Sequence, residues 1–392
     1  MHPRPLFGIV ACALLAFGPA IAAETSGQQL AQSAGRGLVG SMAPRLVLTT
    51  IDSKTVDLGR LYGKQAVYLK FWATWCVPCR EQMPHFEHAY QTAGPDLAVI
   101  AIDVGFGDSI DAIREFQRRT GITMPVVFDE DGHVGGAFSL RVTPQHVVIG
   151  RDGRIQYIGH LADAHLDAAL LAARAASEGS AKPAASGEPA AVSRPQLAVD
   201  DVLPAQSVPL LGGATFQLKQ LAALRPTVFV FLSPWCESYL ATTRPAVSAN
   251  CRRVREQVNA LAPQRKVRWL GIASGLWAKP DDLRTYRKDY NVTIPLALDS
   301  SGTLFREFRV NDVPTVVVAD AAGRIVQRVE PSDTRGLARA LDALCPAAER
   351  GKDCRNDDGS NKINRLDIDV GGRRGPAARS SRRPEQRARY IQ

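Results

Sequence analysis

Residues 71–80 read Phe71-Trp72-Ala73-Thr74-Trp75-Cys76-Val77-Pro78-Cys79-Arg80. The apolar run 67–71 predicts a strand, and the residues after Cys76 predict a helix that reaches about Tyr90 and bends at Pro84. A cysteine at a helix N-terminus lies beside unpaired N–H groups and the positive end of the helix dipole, which favours its thiolate. Cys79 follows one turn later. The sequence therefore predicts a redox pair in which Cys76 attacks a disulfide and Cys79 resolves the mixed disulfide.

The strands and helices around this motif are predicted to occur twice along the chain. Strand 227–232 leads to Trp235-Cys236, and later elements follow in the same order in both halves. Pro144 and Pro314 are 170 residues apart, as are Gly153 and Gly323, whereas Cys76 and Cys236 are 160 apart. The strand ends at Asp103 and Ala273 are already 170 apart, so the second copy carries about ten additional residues directly after Cys236.

The motif, together with Met83-Pro84, Thr143-Pro144 and the hairpin at Gly153, resembles the TlpA/ResA-like group of exported disulfide reductases in the thioredoxin superfamily. The resemblance covers about residues 40–160. It implies that Thr143-Pro144 is a cis-proline site. A cis bond beside the sulfurs would leave the backbone edge at Thr143 able to bind an extended substrate peptide, and an ordinary trans turn is the alternative. Trp75 and Pro78 are expected to support the active site. The resemblance also implies protein substrates with disulfides, such as apocytochrome c or copper-site proteins, and a membrane thiol carrier that re-reduces the pair.

We therefore expect an α/β chain with two tandem thioredoxin-like domains, each a mixed central sheet flanked by helices, and no cofactor. The expected segments are a signal peptide (1–23), a spacer (24–38), the catalytic domain (39–177), a flexible linker (178–198), a degenerate domain (199–346) and a basic, largely disordered tail (347–392).

Two positions depart from the resemblance. Thioredoxin has a buried aspartate six residues before the first cysteine, and many relatives have asparagine; this chain has Lys70. Three residues after the second cysteine the TlpA/ResA-like group often has glutamate; this chain has Gln82. An ammonium group favours a nearby thiolate. The hypothesis is that Cys79 deprotonates more readily than in relatives if Lys70 points inward, and the alternative is that Lys70 snorkels to the surface.

The first residues and the cysteine count indicate export. His2 and Arg4 precede an apolar run that ends in small residues, which is typical of a signal peptide cleaved after Ala22 or Ala23 and of a periplasmic protein. An uncleaved inner-membrane anchor and a lipobox at Cys12 are the alternatives. Without Cys12, six cysteines remain, an even number that suits pairing in an oxidising compartment.

The net charge of +9 does not predict a nucleic-acid partner, because seven arginines and one glutamate in residues 371–392 supply +6 of it. The basicity belongs to the tail. Membrane contact is expected only through the signal segment or this tail.

The second-domain motif has Tyr239 at the resolving position, so a Cys-x-x-Cys cycle is excluded there. Three interpretations of Cys236 remain. It pairs with Cys251, which requires Pro245 to break the helix because a straight helix would separate the two by about 22 Å. Otherwise it is a lone reactive thiol, or it is inert or paired elsewhere. Cys345 and Cys354 are expected to form a local disulfide.

The spacing of Cys76, Cys79, His85 and His88 invites a zinc site, but His85 lies about 9 Å along the helix from Cys79, so we expect no metal and solvent-facing histidines. The favoured function is a periplasmic reductase of protein disulfides. The alternatives are a non-catalytic adaptor or copper metallochaperone, and a disulfide oxidase or isomerase. The sequence leaves open the direction of electron flow, the client and the role of the second domain.

Overall fold

The computed structural model describes residues 19–175, 196–219, 225–333 and 335–344. Two α/β domains are formed, one from residues 19–175 and one from residues 196–344. The expected fold class, two thioredoxin-like domains with mixed sheets, is confirmed.

The first domain begins with a helix and a small hairpin before its central sheet. Its elements are α1 (Pro19–Gly35), β1 (Val47–Thr49), β2 (Thr55–Asp57), α2 (Leu58–Leu61), β3 (Ala66–Trp72), α3 (Val77–Glu81), α4 (Met83–Gln91), β4 (Leu97–Asp103), α5 (Ile110–Thr120), β5 (Val126–Phe128), α6 (His133–Ala137), β6 (Gln145–Ile149), β7 (Ile155–Gly159) and α7 (Ala164–Ala175).

The second domain repeats the hairpin and the sheet. Its elements are β8 (Ser207–Pro209), β9 (Thr215–Gln217), β10 (Thr227–Leu232), α8 (Cys236–Thr243), α9 (Pro245–Leu261), β11 (Arg268–Ser274), α10 (Pro280–Asp289), β12 (Leu296–Asp299), α11 (Thr303–Glu307), β13 (Thr315–Ala319), β14 (Ile325–Val329) and α12 (Gly336–Ala343).

The two five-stranded sheets have the same strand order and direction. In the first, the order is β5-β4-β3-β6-β7, and in the second it is β12-β11-β10-β13-β14. The first three strands of each sheet are parallel to one another, and the last two are antiparallel to their neighbours. β3 and β10 lie at the centres and are buried along their whole length, which agrees with their continuous apolar sequences. Each central strand runs directly into a cysteine motif.

Proline breaks the helix after the motif in both domains. In the first, the predicted helix divides at Gln82 into α3 and α4, two residues before Pro84. In the second, α8 ends at Thr243 and α9 begins at Pro245. Proline lacks an N–H and fits only the first turn of a helix, so each break follows from its position. The additional residues of the second copy lengthen this helical region, as predicted.

The expectation of a spacer at residues 24–38 is wrong. Most of it belongs to α1, which packs on β7. Gly27, Leu30, Ala31 and Gly35 are buried at helical spacing, so they form one face. The small residues are required there, because a Cβ at Gly27 would clash with the ring of His160.

Several expected segments lie wholly or partly outside the described residues: the signal peptide up to residue 18, most of the linker, the tail, and the Cys345–Cys354 pair. The linker was expected to end at residue 198, but Leu197 is already buried, and its N–H donates to the carbonyl of Glu307. The second domain therefore begins slightly earlier than predicted. No helix in the described ranges is long and apolar enough to cross a membrane.

Candidate active site

Cys76 and Cys79 lie where β3 hands the chain to α3. Cys76 is the N-cap residue of α3, and Cys79 lies in its first turn with its Cα 5.2 Å away. The two form a disulfide. The amide N–H of Cys79 donates to Cys76 Sγ over 3.2 Å. When the pair is reduced, this N–H and the helix N-terminus would stabilise negative charge on Cys76.

The loop before β6 closes the other side of the site. The Thr143-Pro144 peptide is cis, and so is its counterpart Val313-Pro314 in the second domain. The carbonyl oxygen of Thr143 lies 3.4 Å from Cys76 Sγ. A backbone edge therefore runs directly beside the first sulfur.

The chain is similar to known proteins over this first domain. The AhpC/TSA family matches residues 39–158. Over 117 residues the chain is 33% identical to the thiol-disulfide oxidoreductase ResA of Bacillus subtilis, which is 30% of this chain and 64% of that protein. Over 135 residues it is 31% identical to ResA of Bacillus thuringiensis, 34% of this chain and 76% of that protein.

The chain belongs to the ResA-like thiol–disulfide oxidoreductases. Among solved structures, a thioredoxin-family thiol:disulfide interchange protein from Chlorobium tepidum has 23% identity and a TM-score of 0.30, covering 34% of this chain and 96% of that one.

Beneath the ResA-like cysteine pair lies a buried lysine. Lys70 is fully buried in β3, so the alternative in which it snorkels to the surface is wrong. Its Nζ lies 3.4 Å from the carbonyl oxygen of Cys79 and 5.3 Å from the ring centre of Phe86. Desolvation lowers the pKa of Lys70 to about 7. The group is therefore placed to gain or lose a proton near neutral pH.

A chain of buried hydrogen bonds lies beside Lys70. His146 Nε2 lies 2.8 Å from Gln82 Oε1, and His146 Nδ1 lies 2.8 Å from the Tyr68 hydroxyl. With Nε2–H donating to the amide oxygen, Nδ1 accepts from Tyr68. Burial, reinforced by the charge of Lys70, holds the pKa of His146 well below its usual value, so the ring is neutral. Gln82, flagged as a departure, is thus part of this network.

In the second domain Cys236 is bonded to Cys251, the pairing that the first of the three interpretations requires. Their Cα atoms are 6.3 Å apart, because the break at Pro245 lets α9 fold back along α8. Both cysteines are buried. The partner sulfur thus comes from the next helix, since Tyr239 occupies the resolving position.

The second domain packs on the face that carries Cys76. The rings of Trp75 and Trp235, each directly before its cysteine, are stacked with centres 5.5 Å apart. The N–H of Val77 donates to the hydroxyl of Tyr239 over 2.9 Å. The residue that replaced a resolving cysteine therefore caps the helix of the active site.

The contact between the domains has approximate twofold symmetry. The N–H of Gly107 donates to the carbonyl of Asn311 over 2.7 Å, and the N–H of Trp277 donates to the carbonyl of Arg141 over 2.9 Å. Gly107 and Trp277 are 170 residues apart, as are Arg141 and Asn311. Within each domain, the indoles of Trp75 and Trp235 donate to the equivalent carbonyls of Phe106 and Leu276 and so fix the two loops in the same way. Equivalent loops thus exchange equivalent hydrogen bonds.

Arg244, at the break between α8 and α9, crosses this contact. Its Nη2 lies 2.9 Å from Asp108 Oδ1 and 3.0 Å from Thr74 Oγ1, and Nη1 donates to the carbonyl of Gly107. The side chain of Asp108 is completely buried. A charge buried in this way requires a partner, so Arg244 ties the insertion of the second domain to the first.

The histidines of the zinc-like spacing do not approach the sulfurs. His85 is half-buried and pairs with Asp167 at 2.9 Å, whereas His88 is exposed. Within the described ranges, no three His, Cys, Asp or Glu side chains are grouped as a metal site.

A cleft of about 100 Å³ lies between the domains, lined in part by Asp129 and Asp299. Burial raises the pKa of Asp129 to about 6, but its oxygens accept the N–H groups of Val134 and Gly135. An Asp299 oxygen likewise accepts the N–H of Phe305. These carboxylates cap the start of α6 and α11.

Sequence reasoning placed Trp75, Pro78, Lys70, Gln82, Thr143 and Pro144 around the cysteines, and the structure brings them together there. It missed Tyr239, Arg244 and Trp277 as residues that contact the first domain. A signal existed for two of them: Tyr239 lies at the position of Cys79, and Trp277 lies at the position of Gly107, in the loop after the second strand of its sheet. The loops that carry Gly107 and Trp277 leave the sheet at the same edge as the cysteine motif of their own domain. A large side chain in such a loop is therefore expected to contact any domain that packs over the cysteines.

Proposed function

We propose that this protein is an exported reductase of protein disulfides that uses Cys76 as nucleophile and Cys79 as resolving thiol. The observation that carries the proposal is the position of Cys76: its sulfur is at the N-terminus of α3, accepts the N–H of Cys79 at 3.2 Å and lies against the backbone edge at Thr143. This arrangement favours a thiolate and offers a client backbone a place to pair.

The reaction is two successive thiol–disulfide exchanges. The Cys76 thiolate attacks one sulfur of a client disulfide; a bond between enzyme and client forms, and the other client sulfur leaves as a thiolate that takes up a proton. The Cys79 thiolate then attacks Cys76 Sγ, which forms the disulfide of this structure and releases the second client thiol. Two electrons pass to the client, and an external dithiol, such as a membrane thiol carrier, restores the pair.

Lys70 has a role in the second exchange in this proposal. Cys79 must lose its proton to attack, and its surroundings are buried, which opposes charge. The ammonium of Lys70, 3.4 Å from the Cys79 carbonyl, offsets part of that penalty. Because its pKa is about 7, Lys70 is also able to give up or accept the proton near neutral pH.

Export and the reductive direction rest on different observations. The apolar N-terminal run with small residues before Glu24 supports export, as does the Cys236–Cys251 disulfide, since such bonds persist in oxidising compartments. The reductive direction rests on the resemblance of residues 71–84 to exported disulfide reductases.

A trapping experiment tests the activity. The Cys79→Ser variant of the full chain cannot resolve, so it should accumulate client proteins as mixed disulfides on Cys76 when expressed in cells with an oxidising envelope. Cys76→Ser, Cys79→Ser together is the control and should capture none. The in vivo redox state of the wild-type pair gives the direction: a mostly reduced pair supports a reductase. A mostly oxidised pair, or no captured client, would contradict the proposal.

The Lys70 assignment has its own test. In a Cys76→Ser background, the rate of Cys79 alkylation by iodoacetamide is followed against pH with Lys70, Lys70→Met and Lys70→Asp. We expect the alkylation midpoint to move to higher pH in Lys70→Met and further in Lys70→Asp, because a positive charge is removed and then replaced by a negative one. Superimposable curves would remove Lys70 from the mechanism.

A further inference from the structure

The backbone edge beside Cys76 is occupied by the second domain. The N–H of Trp277 donates to the carbonyl of Arg141, and the Arg141 guanidinium donates in return to the carbonyl of Ala278 over 3.2 Å. The indole Nε1 of Trp277 lies 3.2 Å from Thr143 Oγ1, on the residue whose carbonyl lies beside Cys76 Sγ. Residues 275–279, here called the plug loop, therefore lie along the edge where a client backbone would pair.

The ring of Trp277 packs on a surface of the first domain that is formed around His160. It packs edge-on against His160 with ring centres 5.2 Å apart. His160 is itself fixed, because its Nδ1 lies 2.7 Å from the carbonyl of Pro144 and Gly27 of α1 packs closely against its ring. Lys279 Nζ lies 3.4 Å from Ser26 Oγ at the edge of the same surface.

The backbone of Trp277 is in an unusual conformation for this residue type. Its φ is 56°, in the left-handed region that bulky side chains rarely adopt, and only 6% of the residue is exposed. Such an outlier persists only where surrounding contacts hold it. Here those contacts come from the first domain.

The plug loop is also where the twofold symmetry fails. At the equivalent position the first domain has Gly107, which makes the backbone hydrogen bond to Asn311 but has no side chain to insert. The ring thus enters the site with the working cysteine pair and no ring enters the other. Cys76 is 1% exposed and Cys79 is completely buried in this arrangement.

We infer that the plug loop is a tethered stand-in for the client: it fills the client-binding edge of the first domain, and a client must displace it to reach Cys76. This inference rests on the proposed function. It also describes the client, because the segment that replaces the plug loop finds a carbonyl acceptor at Arg141 and a surface for a flat aromatic ring at Thr143 and His160. Clients with an aromatic residue beside their disulfide are therefore preferred.

The stand-in acts by competition within one chain. The plug loop is present at a high effective concentration that does not change on dilution. The apparent affinity for a client equals the affinity of the open form multiplied by the fraction of molecules that are open. A weaker plug therefore raises both access to Cys76 and turnover of large clients.

The experiment measures access and turnover separately in the full chain. In a Cys79→Ser background, Cys76 is a free thiol, and its labelling by a maleimide is followed by peptide mass mapping. Trp277→Gly removes the ring and suits the positive φ; it should speed labelling by about ten- to a hundred-fold, since a buried aromatic contact is lost. Labelling in urea should be equal for all variants. Arg141→Ala, which removes the bond to Ala278, should give a smaller increase of about three-fold.

The matched control is Arg265→Ala, which removes an ion pair to Asp342 inside the second domain and should leave labelling unchanged. In chains with Cys79 intact, Trp277→Gly should raise kcat/KM for insulin reduction by about ten-fold. If wild-type and Trp277→Gly chains label and turn over at the same rate, the plug is wrong while the reductase stands. If Cys76 labels readily in Trp277→Gly but neither chain reduces insulin, the proposed function fails instead.

A pair of cystine peptides tests the client preference. The peptides differ only in tryptophan or glycine next to one half-cystine, and both are given to the Trp277→Gly chain, in which the surface at His160 is free. We expect kcat/KM for the tryptophan peptide to be at least about five-fold higher. Equal values would overturn the aromatic preference.

Discussion

In the first domain Lys70 lies opposite Ala101 on one neighbouring strand and His146 on the other, whereas in the second domain the same three sheet positions are Val230, Gly271 and Val316. The backbone register is therefore preserved while the side chains under the cysteine motif are not. One sheet centre holds a lysine and a hydrogen-bonded histidine, and the other is entirely apolar.

This difference indicates that the redox site requires the buried polar side chains, whereas the thioredoxin-like fold does not. Buried polar groups destabilise a core unless they are paired, so a sheet without redox work is expected to replace them with valine. The second domain has done so and has also moved the partner of its cysteine to Cys251 on the next helix. Its surface residues Trp235 and Tyr239 contact the other domain's motif instead.

The difference between the two domains is tested most directly by substituting the cysteines of each domain in turn. Cys76→Ser should lower insulin reduction by about a thousand-fold or more, because the nucleophile is removed. The double variant Cys236→Ala, Cys251→Ala should change the same rate by less than about ten-fold. A loss in the double variant as large as that in Cys76→Ser would mean that the second disulfide lies on the electron path.

The polar sheet centre is tested by Lys70→Met. The folded-state pKa of Lys70 is lowered from 10.5 to about 7, so between these values the unfolded chain holds a proton that the folded chain lacks. Wild-type stability should therefore rise with pH from 7 to 10 by up to about 1.4 kcal/mol per unit.

Lys70→Met should remove this dependence, so that the variant is the more stable one below pH 7 by on the order of 3 to 5 kcal/mol, and the gain should shrink towards pH 10. Urea unfolding at pH 6, 8 and 10 measures it. Lys64→Met, at an exposed lysine, is the control and should follow the wild type. If the stability gained by Lys70→Met does not vary with pH, burial does not lower the pKa of Lys70.

The two disulfides should stabilise their domains to different degrees. Cys236 and Cys251 are 15 residues apart, and closing such a loop in the unfolded chain is worth about 3 kcal/mol. Cys76 and Cys79 are 3 apart, which predicts about 1.5 kcal/mol. Urea unfolding of Cys236→Ala, Cys251→Ala and of Cys76→Ala, Cys79→Ala checks the order. A larger loss of stability on removing Cys76–Cys79 than on removing Cys236–Cys251 would contradict this order.

The smallest of these effects concerns the contact between the domains. Arg244→Ala leaves the buried carboxylate of Asp108 without its cation and should destabilise the closed arrangement by about 2 kcal/mol. Maleimide labelling of Cys76 should become faster accordingly. Arg252→Ala, at a largely exposed arginine 4.0 Å from Glu237, is the control and should change stability by less than about 0.5 kcal/mol. Equal effects would show that Arg244 is not a clamp.

Much of the fold could be predicted from local pattern. β10 begins and ends at the predicted residues and β4 ends at the predicted Asp103, because continuous apolar runs bounded by turns leave few alternatives. The break at Pro245 and the position of the additional residues after Cys236 followed from proline geometry and from the two offsets. The neighbours of Cys76 followed from resemblance to a family whose motif is specific.

The rest depended on contacts between distant segments. α1 was not predicted because its buried face has only one large apolar residue, Leu30, among Gly27, Ala31 and Gly35, which give a weak hydrophobic signal; the glycines permit a close approach to Ile158 and His160. The sequence did not settle whether Lys70 points inward. All seven residues of β3 are buried, so Lys70 is buried whichever face it lies on, but this is known only once both faces of the sheet are seen to be packed. The residues next to Trp277 do not distinguish it from an ordinary core tryptophan; only its alignment with Gly107 in the first copy indicates a side chain directed at the other domain.

The stacked indoles of Trp75 and Trp235 give the molecule a built-in optical gauge. Two indoles whose centres lie 5.5 Å apart and whose planes are inclined at 28° couple their transitions with a skew, so the closed molecule should show a paired positive and negative band in circular dichroism that vanishes when the domains part. Because one ring comes from each domain, the band reports separation without any attached dye. Opening by a client, a variant or a change of solvent could thus be timed in the unlabelled protein.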